Sequence, residues 1–172
     1  PYWDTVLHTL NGFLCGAIGF SLVEIMNGNK RLRFELSPLF MAVVAFCFSM
    51  TIGVTWEIFE FSMDSLYHLD MQKDTIIHSI YTVSLDPMND NNCVAVTGIE
   101  DVVLNGRDLG LGGYLDIGLM DTMYDLIVNF IGAFVFSVLG YGYVKYKDTK
   151  SFGNGLIPES WSDEKKAGSH TE

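Results

Sequence analysis

Three short segments carry side chains able to do chemistry within an otherwise apolar chain. Asp4 and His8 stand four residues apart; Glu57, Glu60 and Asp64 follow at i, i+3 and i+7; Asp121, Asp125 and Asn129 at i, i+4 and i+8. Residues so spaced share one face of a helix. His8, Glu57, Glu60, Asp125 and Asn129 are the inner members of these stripes, and Asp4, Asp64 and Asp121 form the rim nearer the helix ends. Ionisable groups in hydrocarbon cost at least about 2–3 kcal/mol each, so the inner residues need partners. A divalent metal ion or a cationic ligand group would neutralise them, and oxygen-rich donors favour Mg²⁺, Ca²⁺ or Mn²⁺. Carboxylates that stay protonated and relay protons are a second solution. Hydrogen-bonded packing of helix on helix is the third, and the residue types leave all three open.

The elements that must position these residues are three hydrophobic blocks, at about residues 6–26, 39–61 and 119–144. Each is long enough to cross a hydrocarbon core of roughly 30 Å at about 1.5 Å per residue. Leu39 to Trp56 contains no charged residue. A soluble chain would spread its 49% apolar residues and mean hydropathy of +0.25 as amphipathic stripes instead. The expected fold class is therefore an all-α integral membrane helical bundle, with a membrane domain over residues 1–146 and a polar tail over 147–172. Ser37-Pro38 opens the second block, a good helix start. Gly12 with Gly16, and Gly132-Ala133, predict close helix packing. Trp3 and Trp56 at one boundary, and Tyr141, Tyr143 and Tyr146 at the other, suit membrane interfaces, and Glu24 is near enough to a helix end to snorkel.

Charge sets the expected orientation. Lys30, Arg31 and Arg33 follow the first block, and Lys145, Lys147 and Lys150 follow the third, whereas residues 65–118 hold only Lys73 and Arg107 against eight acids. Basic flanks mark the cytoplasmic side, so the chain is expected to be multi-pass in the cell membrane. Loop 65–118 is then extracytoplasmic, the tail is cytoplasmic, and all three polar stripes lie toward the outer face. Within the loop, β-branched runs at Ile76–Leu85 and Val94–Leu104 and the Asn105-Gly106 pair predict a small element of β character. Asp86, Asn89 and Asp90 lack the alternate spacing of a calcium loop and read as a turn.

A net charge of −11 excludes nucleic acid as a partner. Cys15, Cys47 and Cys93 form no disulfide framework. Pro1 opens the chain almost directly onto a hydrophobic block, without the basic region of a signal peptide. A piece of a longer protein, with further helices upstream or a second copy beside it, is the expectation. No nucleophile elbow, phosphate loop, HExxH or dinucleotide fingerprint is present, so no catalytic residue is assigned and enzymatic activity stays open.

Asp4-Thr-Val-Leu-His8, Trp56-Glu-Ile-Phe-Glu-Phe with Asp64, and Asp121-Thr-Met-Tyr-Asp-Leu-Ile-Val-Asn129 before Gly132-Ala133 resemble the YjdF-type bacterial membrane proteins. The pattern is similar, more distantly, to the VanZ-like family, with its D-x-x-x-H segment, membrane glutamate and D-x-x-x-N-x-x-G ending. The resemblance covers about residues 1–145. It implies a multi-helix membrane protein without an assigned activity, and for VanZ-like members a link to glycopeptide-antibiotic resistance. The chain departs from the VanZ-like pattern at Gly118-Leu119-Met120, where an arginine is expected, so a role resting on that arginine does not transfer.

The leading expectation is a site for an ion or an envelope lipid, with chemistry, if any, of the metal-assisted or carboxylate acid–base kind. The alternative is a non-catalytic subunit among membrane lipids, its buried acids serving helix packing and its outer loop binding a protein partner.

Overall fold

The structure, a computed structural model, describes residues 2–27 and 36–146. The basic residues Lys30, Arg31, Arg33, Lys147 and Lys150 and the tail 147–172 lie outside the described residues.

Three long helices appear where the hydrophobic blocks require them: α1 (Tyr2–Asn27), α2 (Pro38–Tyr67) and α3 (Leu119–Lys145). All three are long and apolar enough to span a membrane. Ser37 caps α2: its hydroxyl accepts the Phe40 N–H at 3.2 Å, its carbonyl accepts the Met41 N–H at 3.1 Å, and Pro38 fills the first helical position. Asp116 caps α3, its Oδ2 accepting the Met120 N–H at 2.8 Å. Helix α2 runs past Phe61, the end of its apolar block, because nothing in Ser62–Tyr67 breaks a helix. It stops at His68, whose φ of 55° is left-handed and whose N–H reaches the Asp64 carbonyl at 3.0 Å.

The chain divides into two compact units: Pro1–Phe59 with Tyr124–Glu172, and Glu60–Met123. In the first, polarity is inverted relative to a water-soluble domain. Leu10, Leu14, Ile18 and Leu22, on one face of α1, are about half exposed, while Ser49, Asn129 and Ser137 are buried. The apolar core is small: Phe20, Val23, Met41, Ala45 and Phe136. Phe13 and Phe20 meet Phe136 edge-to-face at 5.0 and 6.2 Å, contacts worth about 0.5–1.5 kcal/mol each. Backbones approach closely where glycine permits. A methyl at Gly12 would overlap the Asn129 carbonyl oxygen, and one at Gly132 the Thr9 carbonyl oxygen. The small residues expected to mediate packing thus hold α1 against α3.

The second unit contains three antiparallel strand pairs. β1 (Ile76–Ile77) pairs with β6 (Tyr114–Leu115), β2 (Ser79–Thr82) with β3 (Val94–Thr97), and β4 (Val103–Leu104) with β5 (Arg107–Asp108). Asn105 and Gly106 form the β4–β5 turn with φ of 52° and 79°, the double left-handed geometry that Asn-Gly favours. Between β2 and β3 the Asp86 carboxylate accepts the N–H groups of Met88, Asp90 and Asn92 at 3.2, 2.9 and 2.9 Å. That is a turn held by its own backbone. These bonds, led by those from Asn92 and Met88, hold the Asp86 carboxyl below the usual aspartate range.

Candidate functional site

Four of the expected residues converge in the first unit. Asp4 and His8 project from the first two turns of α1, Glu57 from α2 and Asp125 from α3. His8, Glu57 and Asp125 are buried, at 9%, 5% and 5% exposure. His8 stands at the centre. Its Nε2 is 3.7 Å from Asp4 Oδ1 and 3.5 Å from Asp125 Oδ2, and its Nδ1 is 3.8 Å from Glu57 Oε1. One donor atom from each of Asp4, His8 and Asp125 lies within 4.8 Å of the others.

These separations decide what the cluster can do. At 3.5–3.8 Å the pairs are longer than the roughly 2.7–2.9 Å of a charge-assisted hydrogen bond. The two pairs on Nε2, at 3.7 and 3.5 Å, fall near the roughly 3.4 Å that separates two ligands about 2.1 Å from a tetrahedral cation. Two carboxylate oxygens also face the Nε2 edge of one imidazole. A bare Nε2 lone pair there would repel both ionised oxygens, so that edge must present an N–H or a metal, or one of the carboxyls must carry a proton.

The other expected residues are placed differently. Asn129, one turn from Asp125 along α3, fits a slot where a methyl at either Gly12 or Gly53 would strike it. Its Nδ2 points at Met50 Sδ, 3.5 Å away. Glu60, one turn beyond Glu57, is buried but belongs to the second unit. Asp64 accepts the Met71 and Gln72 N–H groups at 2.7 and 2.8 Å, and Asp121 accepts the Lys73 N–H at 2.9 Å. Both rim carboxylates thus anchor the chain as it leaves α2.

Sequence reasoning passed over two polar residues. Asp116, 7% exposed, accepts N–H groups of Thr75, Gly118 and Met120, tying that same stretch to the start of α3. An acid just ahead of an apolar run was the available signal for this cap. Ser49, fully buried, donates to the Gly12 carbonyl at 2.7 Å and joins α2 to α1. A hydroxyl inside an apolar block was its only mark. A recess of about 420 Å³, lined by Phe46, Phe130, Phe134 and Ser137 among others, shares no residue with the His8 cluster.

Residues 1–146 match a family described as "Predicted membrane protein (DUF2238)". The chain belongs to this family. Neither a curated protein nor a solved structure matches the chain significantly. The DUF2238 description agrees with the three apolar helices and supports the resemblance as far as a membrane family, while the YjdF-type and VanZ-like names rest on the motifs alone.

Proposed function

We propose that this DUF2238 protein binds one divalent cation inside its helical bundle, through Asp4, the Nε2 of His8 and Asp125. The observation that carries this reading is the spacing around Nε2, too long for hydrogen bonds and suited to ligands of a shared ion. Glu57 lies on the side of the opposite ring nitrogen, and its Oε1 would have to close from 3.8 Å to hydrogen-bonding distance to orient a metal-bound histidine. One imidazole nitrogen with two carboxylates suits Mn²⁺ or Zn²⁺ better than Mg²⁺ or Ca²⁺, which prefer all-oxygen sets. Three protein ligands leave a coordination position open, so the ion can polarise a bound water or an oxygen of an envelope lipid headgroup. The YjdF-type and VanZ-like resemblance is compatible with such a site and assigns it no substrate.

The test is elemental analysis of the full chain purified without chelator, joined to thermal melts with and without added Mn²⁺ or Zn²⁺. One equivalent of metal, lost in His8→Ala, and a metal-dependent rise in melting temperature that Glu57→Gln weakens are the expected results. No stoichiometric metal, with melts indifferent to both ion and chelator, would overturn the reading and leave a proton-bearing or purely packed cluster.

A further inference from the structure

Ile117 contributes little buried surface to the fold. It is β-branched, yet its φ is 52°, a left-handed conformation in which such residues are strained. It is also 80% exposed, so no packing of its own offsets the strain. Its neighbours hold it there. The Asp116 carboxylate grips three backbone N–H groups, two of them at Gly118 and Met120, and Tyr114–Leu115 is paired with β1. Glycine or asparagine would occupy position 117 with less strain. An exposed isoleucine there points to contact with something outside the chain.

Ile117 lines a cleft of about 550 Å³ in the second unit, together with Phe61, Ile80, Tyr114 and Leu119, and with Gln72 and Thr122 as polar lining. Phe61 and Leu119 belong to the membrane-spanning segments of α2 and α3 and are 60% and 63% exposed. The cleft therefore opens where the chain leaves the hydrocarbon, and the amphiphile available at that level is lipid. Charge narrows the choice. Glu60 to Met123 carries eleven acids against Lys73 and Arg107. The negative field is felt locally: partial desolvation, then the carboxylates of Asp70, Asp116 and Asp64, hold the Asp74 carboxyl above the ordinary aspartate range. Such a surface repels a headgroup whose only charge is phosphate and attracts one that also bears an ammonium group.

We propose that this cleft, with Ile117 as its apolar lip, retains one amine-bearing zwitterionic phospholipid. The glycerol and upper acyl chain contact Ile117, Phe61 and Leu119, and the ammonium group turns toward Asp116 in the lining and toward Asp74, whose carboxyl feels the Asp116 charge. This site is independent of the cation site at His8 and stands or falls separately.

The experiment is native mass spectrometry of the full chain in detergent with equal amounts of phosphatidylethanolamine and phosphatidylglycerol, alongside melts in lipid-free detergent. The expected result is one retained phosphatidylethanolamine, weakened about tenfold in Ile117→Asn and Ile117→Gly, which melt no lower than the unaltered chain. Equal retention by the variants would overturn the proposal, as would equal retention of the two lipids. A lower melting temperature of Ile117→Gly would show that the side chain serves folding instead. A dimer dispersed by Ile117→Asn would give the cleft to a second copy of the chain.

Discussion

Asp86 and Asn129 are polar residues engaged by their own chain, and each allows a sharp test. The carboxyl of Asp86 is held below its ordinary value by backbone N–H groups, so the bonds stabilise the folded loop once pH exceeds the unfolded aspartate value of about 3.8. That contribution is lost as pH falls through the lower folded value. Protection factors at Met88, Asp90 and Asn92, referred to the intrinsic exchange rate at each pH, should fall selectively on acidification, and Asp86→Asn should hold them low at every pH. Asn129 fills a slot between Gly12 and Gly53 and does not reach the His8 group through any of its own hydrogen bonds. Asn129→Ala should therefore lower stability by about 1–3 kcal/mol in a detergent unfolding titration, while metal content stays at the unaltered level. Loss of the metal in a folded Asn129→Ala protein would return this residue to the ligand shell. The sequence placed Asn129 on the right face but could not show that glycines on two other helices close around it. Spacing along one helix says which side a residue faces, and nothing about what stands opposite.

At the scale of elements, helix contact is set by glycine. Gly12→Ala and Gly132→Ala each push a methyl into a backbone carbonyl on the facing helix, and overpacking of this kind costs about 1–3 kcal/mol. Gly142, with nothing within 4 Å of an added methyl, is the internal control. Gly142→Ala should be neutral or stabilising by up to about 1 kcal/mol through helix propensity. Equal melting temperatures for all three variants would show that α1 and α3 are not held by close approach. These packing glycines were legible in the sequence because small residues one turn apart have few other uses in a membrane helix. So were the α2 start at Ser37-Pro38 and the Asn105-Gly106 hairpin, where local chemistry alone dictates geometry. The extension of α2 to Tyr67 was not, because the apolar run ends at Phe61 while the helix ends only where His68 turns left-handed.

For the whole molecule, the distribution of Lys and Arg sets the expectation that loop 65–118 is extracytoplasmic, and that expectation has a direct test. A membrane-impermeant thiol reagent applied to intact cells should label Asn91→Cys in a chain whose native cysteines have been replaced. Protection of that site until the cells are opened would reverse the orientation. The orientation would also decide which solution could supply the proposed ion to Asp4, His8 and Asp125, since all three lie at the end of the bundle where α1 begins. Convergence of the three helices' acids was foreseeable from topology and charge. Their division was not: Asp4, Glu57 and Asp125 surround one histidine, while Asp64 and Asp121 serve backbone amides. Both outcomes satisfy the same need for compensation, and only the path of residues 68–75 separates them.

The gathering of His8, Glu57 and Asp125 from three different helices also constrains how the protein is made. Helices enter the bilayer one after another during synthesis, so His8 and Glu57 wait in the membrane until Asp125, 68 residues after Glu57, has emerged. Until then each carboxylate faces lipid or water, and an acid at mid-bilayer is costly enough to hold a helix at the insertion machinery. Placement near one end of each span shortens the distance such a group must sink before its partners arrive. A nascent chain that never completed the cluster would keep these acids facing hydrocarbon, at the cost that an ionisable group carries there.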